Sequence, residues 1–222
     1  MSGSTEIIGI IVKKLVIALA LAAAPFCSFA SESNGIGYTH VELGYAYEDM
    51  GGFYGNGFKL DGSYAFTDNF FVTGSYARTT DDASWTTGSV SYDLDETMTK
   101  WTVGLGFNKS IGSRADWVSQ LAYARWEDKV EDRVCTAVDC VSYVGEDKLN
   151  GYNLSTGVRG RITDKVTANA YLGYEDYNHG YDGNFYADFA AGYSFNPTWS
   201  IQSGVRLASG AESWNLGVRA SF

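Results

Sequence analysis

Proton-transfer chemistry in this chain would fall first to His40 and His179, its only two histidines. A protease-type pair would need His179 beside a carboxylate such as Asp182 or Asp82. A lipid-deacylating centre would need a histidine and a serine side by side on one strand. Neither arrangement has a recognisable spacing, so no catalytic residue is assigned and the chain is read as not an enzyme. The cysteines offer little to a metal. Cys135 and Cys140 bracket Thr-Ala-Val-Asp with no histidine near them, a poor ligand set. No metal and no cofactor are expected. In an oxidising compartment these two cysteines suit a local disulfide, with two free thiols as the alternative. A loop that short would tie down a tip and add little global stability.

A second kind of chemistry lies in charges set singly among small residues: Glu42, Lys59, Asp61, Lys100, Asp116, Arg159, Arg161, Asp188, Arg206 and Arg219. They must be positioned by strands. Val41, Leu43, Tyr45 and Tyr47 alternate with His40, Glu42, Gly44 and Ala46, and similar period-two segments recur to the end of the chain. Ten such segments can be counted. The last runs from Trp214 to Phe222, with Trp214, Leu216, Val218, Ala220 and Phe222 on one side. In each segment the apolar residues take one face and the isolated charges the other.

Composition agrees. The chain has 222 residues, a net charge of −10, 15% aromatics, 26 glycines and 2 prolines, and Pro25 falls in the first thirty residues. Near-absence of proline suits a chain made of paired strands. The acidic balance argues against nucleic acid as a partner. Lys13 and Lys14, an apolar run from Leu15 to Phe26 and Ser28-Phe29-Ala30 make the pattern of a secretory signal over residues 1–30. Residues 31–222 are then one exported domain. Cys27 invites a lipid-anchor reading, against which Pro25 and Phe26 are bulky where small residues are expected.

Three features separate a membrane barrel from a soluble one. Tight turns at Thr67-Asp-Asn, Lys109-Ser-Ile-Gly-Ser, Ile162-Thr-Asp and Asn196-Pro-Thr alternate with the connections near 48–57, 79–99, 126–150, 175–184 and 208–213. Aromatics gather at strand ends in two groups: Phe66, Phe70, Phe107, Trp117, Phe195, Trp199 and Phe222 by the short turns, and Tyr47, Tyr76, Trp101, Tyr123, Tyr152, Tyr174 and Trp214 toward the long connections. The polar face mixes small residues with charges of both signs, as a filled interior would. The expectation is an all-β, ten-stranded antiparallel up-and-down transmembrane β-barrel, with short periplasmic turns and longer extracellular loops. His40 and His179 would then lie on opposite sides of the membrane.

The final residues Asn215-Leu-Gly-Val-Arg-Ala-Ser-Phe222 resemble the C-terminal assembly signal of outer-membrane proteins at Asn215, Gly217 and Phe222, with Ala220 a weak occupant of the penultimate apolar position. Residues 37–222 resemble the small outer-membrane barrels of the OmpX/OmpA-like, "outer membrane protein beta-barrel" class. The blocks Arg114-Ala-Asp-Trp, Gly173-Tyr-Glu-Asp-Tyr177 and Gly183-Asn-Phe-Tyr186 are similar to a gammaproteobacterial, ten-stranded subgroup. The resemblance implies fold and location, and brings no agreed activity.

For function, the ten charges read as an interior salt-bridge network that fills the barrel, or alternatively as the selectivity lining of a small passive pore. Ten strands lie near the size at which side chains fill the interior. The triplets Tyr47-Glu-Asp49, Trp126-Glu-Asp128 and Tyr174-Glu-Asp176 read as belt aromatics followed by a solvated acidic rim, with cation bridging to lipopolysaccharide as the alternative. The 126–150 loop is the candidate for contact with an external partner, which would make the protein an adhesin or ligand-binding surface protein. The expected partners are outer-membrane lipid, lipopolysaccharide and the barrel-assembly machinery, with the chain a monomer.

Overall fold

A computed structural model describes residues 35–178 and 182–222; the 1–30 segment and His179 lie outside the described residues. Ten strands follow in chain order: β1 (His40–Met50), β2 (Phe53–Ala65), β3 (Phe70–Thr87), β4 (Val90–Ser110), β5 (Ala115–Cys135), β6 (Cys140–Arg161), β7 (Val166–Tyr177), β8 (Asn184–Ser194), β9 (Trp199–Ala208) and β10 (Ala211–Ser221). Each pairs antiparallel with its sequence neighbours, and β1 pairs β10 from His40↔Ser221 to Met50↔Ala211, which closes the barrel. Closure removes the sheet edges that hydrocarbon could not solvate.

The period-two pattern decides which face is which. Tyr45, Phe58, Leu105, Leu121, Leu154, Leu172, Val205 and Leu216 stand exposed on the outer wall. An apolar band of this size is untenable in water and stable against lipid tails. Two aromatic girdles bound it. At the short-turn end Phe66, Phe70, Phe107 and Trp117 form a chain of ring contacts at 5.2–6.4 Å. At the other end Tyr45 and Tyr47 meet Trp214, Trp101 meets Tyr123, and Tyr174 bridges Tyr152 and Phe185.

The short turns share one design. The backbone N–H groups of Phe66, Ile111, Ile162 and Phe195 donate to the carbonyls of Phe70, Ala115, Val166 and Trp199. In three of them the second turn residue, Thr67, Thr163 or Asn196, accepts two further backbone N–H groups through its side-chain oxygen. Side chains that satisfy the turn backbone make long connections unnecessary at this end.

The expected long loops are corrected by the structure. Residues 79–99 and 126–150 are strand for most of their length. β3 pairs β4 out to Thr87↔Val90, β4 pairs β5 out to Ser91↔Cys135, and β5 pairs β6 out to Cys135↔Cys140. The twelve steps from Tyr123 to Cys135 continue a four-stranded sheet beyond the outer girdle by roughly 40 Å of strand length. The physical reason is continued alternation: Val90, Tyr92 and Leu94 face one way, Ser91, Asp93 and Asp95 the other. The 48–57 connection shrinks to a two-residue turn at Gly51 and Gly52, both at positive φ. At the tip of β5–β6 the Cys135–Cys140 disulfide is formed.

Candidate functional site: the lumen and its plug

Eight of the ten charges assigned to the interior line its cavity; Asp116 is buried beside it against Tyr38, and Arg161 shares the strand parity of Arg159 on β6. At the short-turn half, Arg219 clasps Glu42, with Nε and Nη2 at 2.9 and 2.7 Å from Oε2. Glu42 is buried, so this pairing is what allows its charge there. His40 Nε2 stands 3.4 Å from Asp61, and Lys59 reaches Asp61 at 4.0 Å. Further out, Arg206 forks onto Asp188 at 2.9 and 3.0 Å and touches Glu175 at 3.5 Å. Its guanidinium also lies 4.1 Å from the Tyr186 ring centre, and Tyr186 donates to Asn153 at 2.6 Å. Lys100 pairs Glu48 at 3.2 Å and sits 4.7 Å from the Trp126 ring.

Two acids of this network, Glu48 and Glu175, were assigned to a solvated rim by the sequence. The triplets do not share a phase. Tyr47 and Tyr174 face lipid, which turns Glu48 and Glu175 inward onto Lys100 and Arg206. Trp126 is inward: it meets Lys100 and makes an edge contact with buried Tyr177. It is not a belt aromatic. Its position on the even phase of β5, with Asp116, Gln120 and Ala122, carried that signal. With the two acids added, the lumen holds Lys59, Lys100, Arg159, Arg161, Arg206 and Arg219 against Glu42, Glu48, Asp61, Asp116, Glu175 and Asp188. On the inward strand positions six bases face six acids, and the outer mouth of the cavity adds Asp49, Asp182 and Glu212 against Arg125.

The sequence also missed the aromatic plug. Residues 36–39 precede β1 outside any strand, yet Ile36 and Tyr38 are buried. They pack with Ala65, Phe71, Val118 and Tyr171 in an apolar cluster inside the short-turn end. The Tyr38 ring stacks on Phe71 at 4.9 Å, its hydroxyl donates to Asp116 at 2.9 Å, and Arg159 lies 5.0 Å from its centre. Arg159 and Asp116 are register partners on β6 and β5. In the strand order β6 lies five places from β1, the far side of a ten-strand ring, so Tyr38 spans the lumen. Ser63 Oγ donates to the Tyr38 carbonyl, and the Ala65 N–H donates to Thr39, which anchor the segment to β2. Gly106 makes room for the plug: a Cβ there would collide with the Phe71 ring, and Gly173 does the same for Tyr186.

Above the plug is a cavity of about 550 Å³. Tyr38 and Phe71 lie among its lining at one end, and Asp182, Asn184 and Gly210 at the other. Among the described residues no group of three or more His, Cys, Asp or Glu side chains could hold a metal ion. Of the four residues assigned to the assembly signal, Asn215, Gly217 and Ala220 lie in β10, and Phe222 follows its last paired residue, Ser221.

A closed antiparallel barrel with a lipid-compatible wall, ion pairs inside, tight turns at one end and long hairpins at the other is a bacterial outer-membrane β-barrel. Solved structures of similar architecture include Ail, the attachment invasion locus protein of Yersinia pestis, at 15% identity over 84% of this chain and 99% of that one, with a TM-score of 0.41. The KdgM porin in complex with disordered oligogalacturonate is similar at 14% identity, over 82% and 99%, with a TM-score of 0.43. The translocator domain of autotransporter NalP from Neisseria meningitidis is similar at 12% identity, over 95% and 96%, with a TM-score of 0.47. No family model matches the chain, and no curated protein does.

Proposed function

We propose that this protein is a closed outer-membrane barrel with a surface-interaction and envelope-supporting role, its lumen sealed from within and its projecting sheet presented outside. One observation carries the reading: Tyr38 crosses the lumen and is held by β3, β5 and β6 at once. Charge balance at the inward strand positions supports it, since a selective pore gains from a lumen of one sign while a filled one gains from neutrality. In this reading the wall meets outer-membrane lipid and lipopolysaccharide, the C-terminal strand is captured by the assembly machinery, the barrel is a monomer, and no catalysis is involved.

A second reading, a small passive pore, is favoured by the cavity above the plug and by the plug being a segment outside the strands. Planar-bilayer recording separates the two. The closed barrel gives no steady conductance. Reproducible ion-selective steps that change in Arg159→Ala would sink it and establish the pore.

A further inference from the structure

The projecting sheet of β3–β6 has two unlike faces. The face that continues the lipid side carries acids together with bases, and Arg125–Glu127, Lys129–Glu131 and Lys148–Glu146 pair upon it. Beyond the level of Lys100, Trp126 and Leu149, the face that continues the lumen side carries no Lys or Arg on β3–β6. It presents Trp85, Tyr92, Leu94, Val130, Val141 and Tyr143. Trp85, Val141 and Tyr143 are 49, 68 and 69% exposed, and the Trp85 and Tyr92 rings stack at 5.2 Å. Among them stand Asp81, Glu96, Asp128, Asp132 and Asp147, with Asp81 opposite Glu96 and Asp128 opposite Asp147 in register. Like charges placed directly opposite repel. Burial and these same neighbours push the Glu96 and Asp128 carboxyls above their ordinary values. Asp128 Oδ1 is buried with no hydrogen-bond donor.

We propose that this lumen-side face docks a cationic polypeptide segment bearing apolar side chains, in extended form. The site rests on the reading above, in which the extracellular surface is the functional part. Its charge selects the occupant: five acids without a base repel lipopolysaccharide, nucleic acid and sulfated glycans, and attract Lys- or Arg-rich chains. Its apolar residues select an amphipathic partner rather than a merely basic one. Its edges favour an extended partner. Pairing of β2 stops at Asn56↔Thr80 and pairing of β7 at Gly151↔Tyr177, so beyond these β3 and β6 each keep one partner among the described residues.

The test uses the full protein in phosphatidylcholine nanodiscs and a fluorescent synthetic peptide of alternating lysine and leucine, read by anisotropy against empty discs. A glutamate–leucine peptide is the control. Binding should weaken roughly tenfold in Asp128→Asn/Asp132→Asn and roughly tenfold in Trp85→Ala. It should change less than about twofold in Asp93→Asn/Asp95→Asn, which removes the same charge from the opposite face. Heat-modifiable mobility confirms that each variant is folded. Equal loss from both charge pairs, binding of the glutamate peptide, or no binding by the wild type would overturn the proposal. Recording conductance on the same preparations keeps the two readings apart, since a conducting barrel that still binds the peptide refutes only the closed lumen.

Discussion

The proposed sealing of the lumen depends on Tyr38, and its replacement separates ring from hydroxyl. The side chain is 7% exposed, stacks on Phe71, donates to Asp116 and lies beside Arg159. Truncating a buried aromatic ring to alanine costs about 3–5 kcal/mol, of which the ring stack accounts for about 1 kcal/mol and the hydroxyl bond for a similar amount. Tyr38→Phe keeps the ring and takes the hydroxyl donor away from Asp116, a loss of about 1–2 kcal/mol. The two variants should therefore differ in kind. Tyr38→Phe should lower stability slightly and stay electrically silent. Tyr38→Ala should lower it two- to threefold more and admit ions, with larger steps when Phe71→Ala is added. Urea unfolding in detergent micelles, followed by heat-modifiable gel mobility, gives the stabilities, and planar-bilayer recording gives the leak. Wild-type stability and silence in Tyr38→Ala would refute the plug. Equal leaks from Tyr38→Ala and Tyr38→Phe would show that the hydroxyl bond to Asp116, rather than the ring, closes the lumen.

Arg206→Ala leaves Glu175 and Asp188 facing each other without their shared cation. We expect a loss of about 2 kcal/mol in the same unfolding assay, less than for a fully buried pair because the Arg206 side chain is 38% exposed. Replacing Cys135 and Cys140 by serine opens a small ring, worth about 2 kcal/mol by loop entropy. That loss should appear as faster proteolysis within 130–146, with barrel unfolding unchanged. Removing Phe222, or Phe222→Ala, should slow the appearance of the heat-modifiable form on insertion while leaving bilayer currents unaltered; normal assembly kinetics would count against the C-terminal signal. Asp128, raised by burial and Asp147, and Glu96, raised by burial, Asp128 and Asp81, bind protons more tightly folded than unfolded. Their contribution to the projecting sheet is then complete below the ordinary carboxylate range and fades as pH climbs through the raised values. Amide exchange over 92–98 and 126–132, corrected for intrinsic rates, should slow on going from neutral to about pH 4.

Strand number, pairing order and the two faces were legible in the sequence because period-two alternation is a local signal that the ladder only repeats. The same parity put Glu42, Asp61, Arg159 and Arg206 inside. What stayed hidden were contacts across the barrel. Tyr38 continues the even phase of His40 and Glu42, but nothing local says that its ring reaches strands on the far side. The rim acids were misplaced for a different reason. Three similar triplets were read as one motif, whereas Trp126 stands on the inward parity of its strand and Tyr47 and Tyr174 on the outward parity of theirs. The 79–99 and 126–150 stretches pass for loops because acids recur through both and threonines through the first. Polar composition follows from projecting into water, and does not contradict strand structure that neighbouring strands complete.

The distribution of charge then separates the two halves of the molecule. A net charge of −10 could have been spread over the lumen, as a cation path would require. Instead the inward strand positions are balanced six to six once Glu48 and Glu175 are counted, and the excess acid lies on the turns, the cavity mouth and the projecting sheet. Charge inside the wall must be paired, because hydrocarbon and packed side chains supply no solvent to screen it. Charge above the wall is under no such constraint, and on the lumen-side face of β3–β6 it is left uncompensated beside exposed aromatics. Neutral strand interior and acidic exterior are therefore opposite responses to one physical rule, and the proposed docking face rests on that contrast.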